Sequence, residues 1–326
     1  VVFMESNKVY KLNEQINFED QKRILIDTGD QENYIQKARK SAAIHQQYKD
    51  LLKQDYILYF HQKTISKFYK REYVEELFQR KDLIKFNHLF YTLDAPEGRK
   101  VNEEAPRKLL VIFTCMPNAK EYDSSLIPKR MFPKFFDGIE KSLVKNVYTM
   151  RIMDINVSHG SHYINTTNYP EYERDIKGAI ESVQSQLNIT TENIVLYGGS
   201  KGGTGAIYHG AALDLKTLAV DPIVNIGGKL EQNDRRFLKD IRKEDLVPII
   251  NDNLSKQNNF IKHVICSEKV PLYYNETSRI DEQNINKINM KDKMITSHPE
   301  VSRNTVPEQL MILNFLLGGQ KQFEKD

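Results

Sequence analysis

The sequence predicts an α/β fold in which a mostly parallel central sheet is flanked by helices and preceded by a helix-rich N-terminal extension. Three observations lead there. The chain has 326 residues, 40% of them hydrophobic and 10% aromatic, enough to fill one large core with an extension, or two cores. From Lys108 onward, short apolar runs alternate with longer stretches of helical periodicity, which is the pattern of βαβ units and a parallel sheet. Finally, eight of the 15 glycines crowd between Gly198 and Gly228, where a tight turn joins a strand pattern to a helix pattern.

In chain order, residues 1–107 form a charged segment of their own. Phe18 to Ile84 is mostly helix-like, clearest in Asn33 to Leu52, whereas YILYF (Tyr56 to Phe60) and HLFYT (His88 to Thr92) are strand candidates that need a sheet to cover them. The polar stretch Ala95 to Arg107, with two prolines and a glycine, is a linker or long loop. Residues 108–326 then supply the core. Strands are expected at Lys108 to Met116, Asn146 to Met153, Asn193 to Tyr197, Thr217 to Val220, His263 to Cys266 and Lys293 to Thr296. Helices are expected at Pro133 to Leu143, Glu171 to Leu187, Gly202 to Leu213 and Glu308 to Leu317, with an inserted helical region over about 229–259. No fixed-period repeat or low-complexity tract is present, which argues against solenoids and propellers.

Composition excludes several classes. Mean hydropathy is −0.57, and no apolar run approaches the roughly 18 to 20 residues of a membrane-spanning helix. Lys+Arg 47 against Asp+Glu 44 leaves a formal charge of +3, which gives no electrostatic reason to expect a nucleic-acid partner. Two cysteines, Cys115 and Cys266, make neither a disulfide framework nor a thiolate metal site. A cytoplasmic location, with any membrane association made through partners, fits that usage. The opening VVFMESNKVYKL has no secretory signal pattern, but it also lacks a methionine at position 1, so a removed leader stays open.

The chemistry centres on Gly198-Gly199-Ser200-Lys201-Gly202-Gly203, directly between the strand NIVLY and a helix. Gly198-x-Ser200-x-Gly202 is a nucleophile-elbow pattern, in which a sharp turn forces the serine into a strained backbone conformation and raises its hydroxyl at a helix N-terminus. The dipole and free N–H groups there favour a developing oxyanion. The same glycines fit neither a P-loop, since Thr204 stands where lysine is required, nor G-x-G-x-x-G, since Tyr208 takes the last glycine's place.

A nucleophilic serine needs a base, and in this architecture the acid and then the histidine follow it along the chain. Of His209, His263 and His298, only His298 sits in a loop between a late strand and the last helix, so it is the expected base. The acid has three candidates: Glu268, in the loop after the strand HVIC, is favoured, Asp221, at the end of the strand TLAV, is the alternative, and Asp281 is a weaker third choice. The backbone N–H groups of Lys201 and Met116 would form the oxyanion hole. Asp154 to Asn165 should also reach the active face. Its His159 and His162 lack the spacing and third ligand of a zinc site and suit a substrate loop better. No metal and no cofactor are expected.

From Lys108 to the C-terminus this layout resembles the α/β-hydrolase superfamily. More narrowly, IVLYGGSKGGTGAIYHGAALDLKTLAVDP (Ile194 to Pro222) is similar to the elbow region of bacterial capsular-polysaccharide biosynthesis proteins of the XcbB/CpsF type, and of the related acyltransferase of the accessory secretion system for serine-rich glycoproteins. One departure is that many hydrolases carry aspartate where this chain has Val270. The resemblance implies a serine esterase or acyltransferase acting on a carbohydrate, or on an acylated small molecule, beside other glycan-biosynthesis proteins. A peptidase or lipase of the same fold, and a non-catalytic scaffold with a degenerate site, are the competing readings.

Overall fold

A computed structural model describes residues 8–98, 100–227, 229 and 232–318. Among these the chain forms two sheets. The smaller is built from β1 (Val9–Lys11), β2 (Arg23–Asp27), then, after helices α1 (Tyr34–Ala38) and α2 (Ala42–Lys53), the hairpin β3 (Tyr56–Gln62) and β4 (Ile65–Lys70), in the order β1-β2-β4-β3. YILYF therefore pairs here, and the segment expected to be mostly helical holds a sheet as well as two helices. The reason lies in alternation: Ile24, Ile26, Leu58 and Phe68 point to one fully buried face. That face shares its apolar cluster with Ile223, Ile226, Phe237, Leu238 and Ile241 from the C-terminal part of the chain.

The larger sheet begins with β5 (Ile84–Phe86) and β6 (Leu89–Asp94), so HLFYT contributes an early strand to the main core. It continues through β7 (Lys108–Phe113), α3 (Ile127–Met131), β8 (Val147–Met153), α4 (Tyr172–Leu187), β9 (Ile194–Gly199), α5 (Lys201–Leu213), β10 (Lys216–Val220), α6 (Val247–Lys256), β11 (Lys262–Cys266), α7 (Pro271–Thr277), β12 (Asn286–Asn289), α8 (His298–Arg303) and α9 (Val306–Gly318). The strand order is β12-β11-β10-β9-β7-β8-β6-β5. From β7 to β12 every pairing is parallel, while β6 runs antiparallel to both of its neighbours. This is an α/β-hydrolase-type arrangement, a mostly parallel sheet with helices on both faces.

Burial on both faces explains why these strands read as continuous apolar runs. In β7, Leu109, Val111 and Phe113 join one cluster with α4 and α5, whereas Leu110 and Ile112 join another with α9. Two local expectations fail for identifiable reasons. Pro133 to Leu143 is broken by Gly138 at φ +79°, leaving only a 3₁₀ turn at Ile139–Ser142. Lys293 to Thr296 is no strand, because Asp292 caps a turn by accepting Met294 N–H at 2.8 Å and Ile295 N–H at 3.1 Å, and the last strand is Asn286–Asn289 instead. Within the proposed insertion 229–259, α6 is the helical part and residues 232–246 run mainly through turns; residues 228, 230 and 231 lie outside the described set.

Candidate active site

The elbow forms where β9 meets α5. Ser200 has φ 55° and ψ −117°, a strained conformation held by its N–H donating to Val220 O at 2.9 Å and by its own carbonyl accepting from Thr204 N–H at 3.0 Å. Space dictates the flanking glycines. A Cβ on Gly198 would lie 2.2 Å from Gly202 O, and one on Gly202 would lie 2.1 Å from Phe113 O, both backbone atoms that cannot step aside. Gly202→Ala is accordingly expected to cost more than about 3 kcal/mol, since overpacking against fixed backbone exceeds the usual core range; urea unfolding of the variant measures it. Gly199 and Gly203 complete the turn beside Phe135 and Val220 O respectively.

His298 opens α8, and its imidazole bridges two partners. Nε2 lies 2.7 Å from Ser200 Oγ, and Nδ1 lies 2.6 Å from Asp221 Oδ2. A carboxylate at Nδ1 holds the ring proton there, which leaves Nε2 to accept from the serine hydroxyl. Tyr273 stacks on the imidazole with centroids 4.0 Å apart and planes 20° apart. Asp221 is 2% exposed, and burial raises its carboxyl above the ordinary range against the opposing pull of His298.

Of the three carboxylates weighed from the sequence, the structure brings Asp221 to the histidine and leaves Glu268 and Asp281 outside, Asp281 lying exposed with its N–H on Asn251 Oδ1. Glu268 is exposed, accepts from Asn289 Nδ2 at 3.0 Å and faces Lys291. The register explains the choice. Val220 pairs with Gly199, so the next residue, Asp221, emerges level with Ser200, whereas Glu268 lies a strand further on, past the end of β11. His209 and His263 are also placed apart from the serine, His209 Nε2 bonding Tyr163 O and His263 Nδ1 bonding Asn286.

Lys201 follows the nucleophile position, and its N–H belongs to the first helical turn, whose donors have no intrahelical acceptor. Met116 lies in the loop leaving β7, on the same edge of the sheet. The Lys201 side chain is fully buried, an arrangement that no sequence signal announced. Its ammonium lies 3.3 Å from Asp154 Oδ2 and donates to His159 O at 3.4 Å. Asp154 also accepts from Ser161 N–H, His162 N–H and Tyr172 O–H, so the ion pair ties the 154–165 loop to the elbow.

His159 and His162, expected in a substrate loop, are 1% and 0% exposed. His159 Nε2 pairs with Asp123 Oδ1 at 3.1 Å, and burial pushes its imidazole down to about 4. Burial also lowers His162 and His209. Between an unfolded value of about 6.5 and these lower folded values, the unfolded chain takes up protons that the folded chain excludes, so stability falls as pH drops through that window. Thermal midpoints measured from pH 7.5 down to 5 should decline below about pH 6.5; a flat profile would contradict neutral buried imidazoles. Among the described residues no group of three His, Cys, Asp or Glu side chains is placed to hold a metal ion, and no helix is long and apolar enough to cross a membrane.

Fold and site share one architecture: an α/β-hydrolase-type sheet that carries Ser200, His298 and Asp221 in a single hydrogen-bonded row. Comparison with known proteins adds the relatives. The model of the accessory Sec system GspB-transporter family matches residues 138–277, which include Ser200 and Asp221. An accessory Sec system protein of Staphylococcus aureus is 36% identical over 93 residues, 28% of this chain and 17% of that protein's length. Solved structures similar to the chain include a capsule O-acetyltransferase of Neisseria meningitidis serogroup A (15% identity, 71% of this chain and 93% of that one, TM-score 0.45). The fluorophosphonate-binding serine hydrolase FphF of Staphylococcus aureus is another (12%, 73% and 96%, TM-score 0.48). A glycosylation-associated Gap123 complex of Streptococcus agalactiae also aligns (16%, 77% and 50%, TM-score 0.47).

Proposed function

We propose that the protein is a serine-dependent esterase or acyltransferase that acts on a carbohydrate or glycan intermediate of bacterial surface-polymer assembly. The observation that carries the reaction is the continuous row Ser200 Oγ, His298 Nε2, His298 Nδ1, Asp221 Oδ2 on a strained elbow. Ser200 Oγ attacks the acyl carbonyl of an ester or thioester while His298 Nε2 takes the hydroxyl proton, and Asp221 stabilises the imidazolium that forms. The tetrahedral oxyanion is received by the N–H groups of Lys201 and Met116. His298 then returns the proton to the departing alcohol or thiol, leaving acyl-Ser200, which water or a sugar hydroxyl resolves.

The carbohydrate substrate and the glycan-biosynthesis partners rest on the likeness of Ile194 to Pro222 to capsular-polysaccharide and accessory-secretion proteins, the second likeness being supported by the family match over 138–277, and a cytoplasmic site of action rests on the sparse cysteine usage. The scaffold reading draws on the missing carboxylate at Val270 and on the charged, helix-rich N-terminal third; the bond between Asp221 and His298 supports the catalytic reading over it. The test is fluorophosphonate labelling of the purified protein beside His298→Ala, with circular dichroism to establish folding. Labelling that depends on His298 is the expected result; a folded wild type that takes no label would overturn the proposal.

A further inference from the structure

A groove of about 790 Å³ lies between the end of α1, the 119–123 segment and the 233–237 segment, within the size range of small-ligand sites. Its polar wall is cationic. Arg39 is fixed there, donating from Nε and Nη2 to Asp123 at 2.7 and 2.9 Å and from Nη1 to Arg235 O at 3.0 Å. Asp123 thereby spends its charge on Arg39 and on His159. The second guanidinium, that of Arg235, lies 4.9 Å from the centroid of the Tyr122 ring, and Arg39 lies 5.7 Å from the same centroid. Arg235 is exposed and has no carboxylate partner among the described residues. Arg39 and Arg235 are thus gathered around one aromatic ring, and Asp123 is bonded to the first of them only. That arrangement costs repulsion unless an anion joins it.

The groove adjoins the reaction site along two routes. Ala119, in its lining, is three residues beyond Met116, hence within about 11 Å of that backbone N–H. Asp123 bonds His159, whose carbonyl receives the Lys201 ammonium beside the nucleophile. We propose that this groove binds an oxyanion, a phosphate or a carboxylate, carried by the sugar portion of the substrate and held by the guanidiniums of Arg235 and Arg39. The planar N–H fork of Arg235 matches such groups, Arg39 adds its remaining N–H groups and its charge, and a neutral sugar gains less because its hydroxyls carry no charge. The placement within a substrate rests on the serine-enzyme reading above, but the binding chemistry does not.

The experiment is calorimetric titration of the whole protein at low salt with glucose 6-phosphate, glucuronate and glucose, repeated on Arg235→Gln and Ser200→Ala. At least one anionic sugar is expected to bind well above glucose, and the anion preferred tells phosphate from carboxylate. Arg235→Gln, an exposed change checked for folding by circular dichroism, should weaken that binding roughly tenfold, the worth of one charge-assisted hydrogen-bonding group. Ser200→Ala should leave it unchanged. Equal affinity for glucose and both anions, or an Arg235→Gln protein that binds as the wild type does, would overturn the proposal. Failure of serine labelling would instead strike the reaction and leave these binding outcomes as they stand.

Discussion

Replacing Ser200 by alanine is expected to lower kcat on an activated acetyl ester by about a millionfold, the scale of losing the nucleophile of a cooperative triad. The oxyanion donors and the binding surface survive the change, so a residual rate above that of water should persist. Folding should survive as well. Alanine keeps the Cβ that serine already places at φ 55°, and the backbone bonds to Val220 O and Thr204 N–H do not involve the lost hydroxyl. Turnover and the thermal midpoint, measured on the same preparation, separate the two effects. A Ser200→Ala protein that is folded and retains wild-type turnover would mean that the elbow is a structural turn.

The second large effect divides the two acid candidates. Asp221→Asn should cost about 10⁴ in kcat, because an amide opposite Nδ1 no longer demands a proton there and the imidazole loses the tautomer that accepts from Ser200. Glu268→Gln should change kcat by less than about twofold, since an exposed carboxylate paired to Asn289 and Lys291 contributes little to anything. Steady-state kinetics on both variants decide the matter. The opposite ranking would require His298 to turn away from a partner at 2.6 Å and would discard the observed geometry.

How much of this was legible beforehand follows from how local each signal is. The elbow is written in consecutive residues: the strand, Gly198, Ser200, Gly202 and the helix follow one another without a break from Ile194 to Leu213, and steric exclusion at a sharp turn leaves glycine as the residue that fits. His298 was reachable from chain order alone. The parallel core was readable because strands buried on both faces must be continuously apolar. By contrast, the terminal strand was misplaced by some seven residues, since KMIT and NKIN differ less in composition than in whether a neighbouring edge is there to pair with them.

The sequence by itself determined the class of fold and singled out Ser200 and His298, which the structure places 2.7 Å apart, because each signal depends on backbone sterics or on an order along the chain. Only the tertiary structure decided the acid, the buried Lys201–Asp154 pair, the stacking of Tyr273 on His298 and the small sheet that shares its core with residues 223–241. These depend on strand register and on which side chains meet across separate elements. Val220 opposite Gly199 is what sets Asp221 beside Ser200. A one-residue slip of that register would turn the carboxylate to the other face of the sheet, and no property of residues 217–222 alone records which way it points.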